Sequence, residues 1–138
     1  MRYETTVDIA ADADRIWATW VDIEGWPDWS ESVESAQRLD DGEFDVGSPA
    51  RLKQPKMRAA EWEVTDVDPG RSFVWRTRSG GLDMVATHAM EPTGDGVRVA
   101  LSFELTGPLS GLVGRLGGGR IRRYIGMEGD GLKAHCEA

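Results

Sequence analysis

The stretch "HAMEPTGDGVRVALSFELTGPLSG", residues 88–111, decides the fold. Val97, Val99, Leu101, Phe103 and Leu105 point one way, and Arg98, Ser102 and Glu104 the other. Strict alternation of this kind marks a strand with one buried face, expected over 97–105. "PTGDG", 92–96, precedes it and reads as a tight turn. A connection that short joins antiparallel neighbours. Beyond the strand, Thr106 is a candidate helix cap and Pro108 suits a first helical turn.

Working outward, the same pattern recurs. Strands are expected at 3–9, 31–39, 48–54, 60–68, 71–78 and 82–91, with a further turn at "DVDPGR", 66–71. Between the first two strands, Ile16, Trp17, Trp20 and Val21 recur at helical spacing behind a cap at Asp12 or Asp14. A second short element, "IEGWPDWSE", is broken by Gly25 and Pro27. The order is strand, two short helices, six strands and one long helix. Seven antiparallel strands leave an apolar face that two short helices cannot cover, so the sheet must curl around the terminal helix. Space between them becomes a cavity open at one end. The expectation is an α+β helix-grip fold in one domain over residues 1–138.

The terminal helix carries an anomaly, "GRLGGGRIRR", 114–123. Leu109, Leu112, Val113 and Leu116 share a face, and Ile121, Tyr124, Ile125, Glu128, Leu132 and His135 continue the rhythm. Three glycines inside a helix invite a break or kink. No lysine followed by Ser or Thr is present, and the run follows a helical segment, which disfavours a phosphate loop. Two readings stand: a kinked helix whose bare patch at 117–119, centred on Gly118, keeps a cavity open, or a frayed joint between two helices.

Charge narrows the partners. The 138 residues carry a net charge of −8, which disfavours nucleic acid. Residues 1–106 hold 11 Lys/Arg against 21 Asp/Glu, whereas residues 107–138 hold 5 against 3. The basic tail reads as a complement to the acidic body; attraction to an anionic ligand or membrane surface is the alternative. No apolar run is long enough to span a membrane, so stable insertion is not expected. "MRYETTVDIAADADRIW" lacks the apolar core of a signal peptide, and a cytoplasmic location is expected. Cys136 is the single cysteine, so no internal disulfide forms.

Extending the alternation places Trp62, Val64, Phe73, Trp75, Thr77, Leu82, Met84, Ala86, His88 and Met90 on the concave face. His88 is then a polar group among apolar ones, either a satisfied structural residue or a group that orients a ligand or moves a proton. Trp62 and Trp75 could stack on a flat ligand, and Trp26 and Trp29 read as a core plug or as a rim of the cavity mouth. The two histidines show no metal-ligand spacing, and no nucleophile elbow or dinucleotide loop is present, so neither metal nor cofactor is expected.

These segments together resemble the START/Bet v 1-like superfamily, the polyketide cyclase and lipid-transport group. The likeness rests on "VDIAADADRIWATWVDIEGWPDW", "VGSPARL", "EWEVTDVDPGRSFVW", the stretch quoted first, and "GLK" at 131–133. It implies a hydrophobic small molecule held between sheet and helix. Trp62, Trp75, Met84, His88, Met90, Gly118 and Tyr124 are the expected ligand-binding residues. If the chain is instead a cyclase- or dehydratase-type enzyme, His88, Arg51 and Tyr124 are the candidate acid/base groups.

Overall fold

The computed structural model describes residues 1–138. Seven strands form one antiparallel sheet: β1 (Arg2–Ile9), β2 (Ser35–Arg38), β3 (Pro49–Lys53), β4 (Ala60–Asp68), β5 (Ser72–Ser79), β6 (Leu82–Pro92) and β7 (Val97–Thr106). Their spatial order is β1-β7-β6-β5-β4-β3-β2. Strands β2 to β7 are thus a meander, and β1 closes against β7, with Val7 opposite Val99. Helix α1 (Ala13–Val21) and a 3₁₀-helix (Ile23–Asp28) follow β1, and the long helix α2 (Ser110–Glu137) ends the chain. This is the expected helix-grip architecture. The register shifts between Val64 and Asp66 in β4, where an extra residue bends the strand and adds curvature.

The core lies where α1, the 3₁₀-helix and the second half of α2 meet the sheet. Ile16 and Trp20, one turn apart on α1, are fully buried together with Phe73 and Leu132. Trp20 and Phe73 meet edge-on at 5.9 Å. Trp26 is buried and donates its indole N–H to the Trp20 carbonyl at 3.0 Å. Trp29 is also buried. Both residues belong to the core cluster, as the plug reading expects, and Trp26 also forms part of the wall of a cavity under α2.

Three local expectations are corrected. β2 starts at Ser35, not at 31, because Ser30 to Val33 form a turn that buries Ser30, Ser32 and Val33 and is closed by a 2.6 Å hydroxyl–hydroxyl bond between Ser30 and Ser32. Asp12 occupies the N-cap of α1, but its side chain makes no capping bond. Neither Thr106 nor Pro108 starts α2: the N-cap is Leu109, and the chain turns at Gly107. Gly107 has φ 104°, and a Cβ there would stand 2.5 Å from the Gly81 carbonyl oxygen, so only glycine fits.

The glycine run does not break α2. Residues 110–137 are one continuous helix, and Gly117, Gly118 and Gly119 all keep negative φ. The frayed-joint reading therefore fails. The expected apolar face holds in part: Val113, Ile121, Tyr124, Ile125 and Leu132 turn inward, but Leu109, Leu112 and Leu116 are 44%, 57% and 78% exposed, while Gly114 and Gly118 are buried against β1. A Cβ on Gly118 would meet the Tyr3 hydroxyl at 3.0 Å. Small residues, not leucines, set the approach of the helix to the sheet.

Candidate functional site

Between the first half of α2 and the concave face of β3 to β7 lies a cavity of about 210 Å³. That exceeds the roughly 150 Å³ of an apolar cavity able to hold one benzene. Sixteen of its 24 lining residues are hydrophobic, so a ligand must bring mostly apolar surface. The sheet side is built by alternation. Trp62 on β4, Trp75 on β5, Met84 and His88 on β6, and Phe103 on β7 share one face and line the cavity. The indoles of Trp62 and Trp75 lie 5.6 Å apart and tilted by 35°. The helix side is formed by Val113, Gly117, Arg120, Ile121, Tyr124 and Glu128. A Cβ on Gly117 would meet nothing within 4 Å. Gly117, one residue before the expected Gly118, is the glycine that faces the space.

The polar group that stands out is a pair. His88 Nε2 lies 3.0 Å from Glu128 Oε1, joining sheet to helix inside the cavity wall. His88 is 2% exposed. Its ring stacks on Phe73 at 4.1 Å with 6° between planes, and Trp20, Trp26 and Trp75 surround it at 5.7 to 5.9 Å. Packing of that density fixes the imidazole plane and aims Nε2 at the carboxylate. Nδ1 is buried without a partner. With Glu128 ionised, Nε2–H donates and Nδ1 keeps a bare lone pair; with Glu128 protonated, its O–H donates to Nε2. Either pattern places one proton between the two residues.

Glu128 was visible in the sequence only as part of the helical rhythm. Its signal is a carboxylate on the same helix face as Ile121, Tyr124 and Leu132. Reading it as a partner of His88 required the packing of α2 on β6.

The other site expectations divide. Tyr124 lines the cavity, but its hydroxyl donates to the Pro55 carbonyl, which latches α2 to the β3–β4 loop. Arg51 does not join the site: it is exposed on β3 and bonded to Glu61 Oε1 at 2.8 Å. Met90 shares the phase of His88 but is packed in the core outside the cavity wall. Gly118 also lies outside that wall, against Tyr3.

The perturbed titrating groups are at the surface. Asp83 is held below its ordinary carboxylate value, chiefly by the hydrogen bond from Arg76. Glu137 is held low first by the Ala10 N–H and then by Lys133. Neither lines the cavity. No three His, Cys, Asp or Glu side chains converge as metal ligands.

A curled antiparallel sheet gripping a long helix over an apolar cavity defines the helix-grip class. The family model for polyketide cyclase / dehydrase and lipid transport proteins matches residues 1–137, and the chain belongs to that family. No curated protein sequence matches it. Solved structures agree in fold. The Zhui aromatase/cyclase from Streptomyces sp. R1128 is 18% identical with a TM-score of 0.80, covering 99% of this chain and 93% of its own. The di-domain aromatase/cyclase StfQ of the steffimycin biosynthetic pathway is 14% identical with a TM-score of 0.79, covering 99% of this chain and 50% of its own. A hypothetical protein from Helicobacter pylori is 14% identical with a TM-score of 0.81, covering 98% of this chain and 86% of its own. At these identities the likeness is one of fold.

Proposed function

We propose that the chain, acting as one domain, binds a hydrophobic small molecule, polyketide-like or lipid-like, in the cavity under the first half of α2. The carrying observation is the wall itself: Trp62, Trp75, Met84 and Phe103 face a helix stripped to Gly117, with one polar pair at one side. Apolar walls with few polar groups hold ligands by area and orient them by those few groups. A volume of about 210 Å³ favours a ligand or ligand portion the size of a fused bicyclic ring over a fully enclosed long chain. Native mass spectrometry of the purified protein tests this reading. The expected result is a retained small molecule or a one-to-one adduct with added β-naphthol. A protein that shows neither contradicts it.

The His88–Glu128 pair favours a second reading, catalysis by proton transfer on the bound ligand. Glu128 would take the proton α to a carbonyl, leaving an enolate, exchange it with solvent, and deliver a solvent-derived proton from the same oxygen. His88, bonded to that carboxylate, would be the positioning residue. Deuterium exchange at the central carbon of benzoylacetone, followed by NMR, tests this. Acceleration by the protein and its loss in Glu128→Gln, with benzoylacetone still bound, supports catalysis. Equal exchange in both proteins leaves a binding function only.

A further inference from the structure

The chain carries 16 lysines and arginines, and their partners sort them into two groups. Eight form ion pairs with carboxylates. Arg15 donates to the Cys136 and His135 carbonyls. Of the seven left with neither kind of partner, six fall in two segments: Lys56 and Arg58 in the β3–β4 loop, and Arg115, Arg120, Arg122 and Arg123 in the first half of α2. Arg122 lies over the Tyr3 ring at 5.0 Å. Only Arg71 lies elsewhere. The basic tail is therefore not a complement to the acidic body, as its composition suggested. Its arginines reach none of the body's carboxylates.

The same two segments border the opening of the cavity. Among its lining residues only Met57 and Arg120 are exposed, and they mark the mouth. Beside it stand the exposed leucines of α2. Leu109, Leu112 and Leu116 recur at helical spacing, and Arg120 and Arg123 continue that stripe. Residues 54–59 and 109–127 contain no acidic side chain, in a chain of net charge −8. One face thus combines exposed apolar side chains with uncompensated cations around an apolar mouth. A soluble anion would use the arginines and leave the leucines in water. An apolar protein partner would use the leucines and bury the cations unpaired, at a cost.

We propose that the first half of α2 and the β3–β4 loop dock the cavity mouth on an anionic lipid bilayer. The leucines and Met57 enter the boundary between headgroups and acyl chains, and the guanidinium groups bond the headgroup phosphates. The contact is a surface one, since no helix is long and apolar enough to cross a membrane. It brings the apolar cavity against the phase in which apolar molecules dissolve. The docking stands apart from ligand binding, because vesicle association reads the face and not the occupancy of the cavity.

Co-sedimentation of the full chain with vesicles tests the proposal. Phosphatidylcholine vesicles containing phosphatidylglycerol should bind the protein at least about tenfold more tightly than phosphatidylcholine alone, since each basic residue near an anionic surface contributes roughly fivefold. Arg120→Glu with Arg123→Glu should lower that affinity at least about 25-fold by the same reckoning. Leu112→Ser with Leu116→Ser should also weaken it, at unchanged charge. Arg71→Glu, an unpaired cation away from the mouth, should leave it unchanged. All substituted positions are exposed, and circular dichroism checks the fold. Absence of binding to anionic vesicles overturns the proposal. So does unchanged binding of the leucine variant, which would reduce the effect to adsorption by charge. Self-association in analytical ultracentrifugation that the leucine variant abolishes, without vesicle binding, would assign the face to a second copy instead.

Discussion

Gly131 and Gly117 lie on one helix, yet a methyl group added to each meets opposite surroundings. At Gly131 a Cβ would stand 1.9 Å from the Trp29 carbonyl oxygen, a backbone atom that cannot swing aside. At Gly117 it would meet nothing within 4 Å. The contrast extends over both halves of α2. The second half buries Leu132 and Cys136 and is tied to Ala10, just past β1, through Glu137 and to α1 through Arg15. The first half leaves Leu112 and Leu116 in solvent and covers a cavity. One half of the helix is a structural wedge, and the other is a wall built to leave room. At Gly131 glycine permits close contact, as Gly114 and Gly118 do against Tyr3; at Gly117 it keeps volume empty.

The largest expected difference lies between two leucines. Leu132→Ala removes a fully buried side chain and should cost about 2–5 kcal/mol. Leu116→Ala removes one that is 78% exposed and should stay within about 0.5 kcal/mol. Urea denaturation of both reads the difference, and equal losses would break the comparison. Next come the glycines. Gly131→Ala should destabilise by about 1–3 kcal/mol or more through overpacking. Gly117→Ala should stabilise by somewhat under about 1 kcal/mol through helix propensity. Opposite signs in thermal melts sharpen the account, and a loss at Gly117 contradicts it.

The smallest effect is electrostatic. Glu137 is held below its ordinary value by the Ala10 N–H and Lys133, so its contribution is present above that value and lost as pH falls through the depressed one. Glu137→Gln should therefore melt slightly below the parent at neutral pH, and the gap should close in acid. A gap that widens in acid would show that Glu137 does not hold the end of α2 as described.

Alternation made the sheet legible. The expected strand at 60–68 matches β4 to the residue, and Trp62, Trp75, Met84 and His88 share the face that lines the cavity. The pattern gives a side chain's face but not its position along the sheet, and for that reason Met90 fell in the core rather than the wall. The helix was read less well. Apolar periodicity ranks the bulkiest side chains as buried, and it chose Leu109, Leu112 and Leu116. Contact with Tyr3 instead selects Gly114 and Gly118, because closeness of approach is a property of the pair of elements. Glu128 was in plain view on the inner face of α2, but its role depends on His88 from β6, forty residues earlier.

The central claim is that the space beside Gly117 is a binding cavity, and one paired titration tests it most directly. Gly117→Leu places a side chain into the cavity, while Gly119→Leu places one where a Cβ meets nothing and no cavity wall is formed. Both changes favour the helix to a similar degree. Titrating β-naphthol against tryptophan fluorescence should give an affinity at least about tenfold weaker for Gly117→Leu, with Gly119→Leu matching the parent. Equal affinities in all three proteins would place the ligand elsewhere and contradict the account.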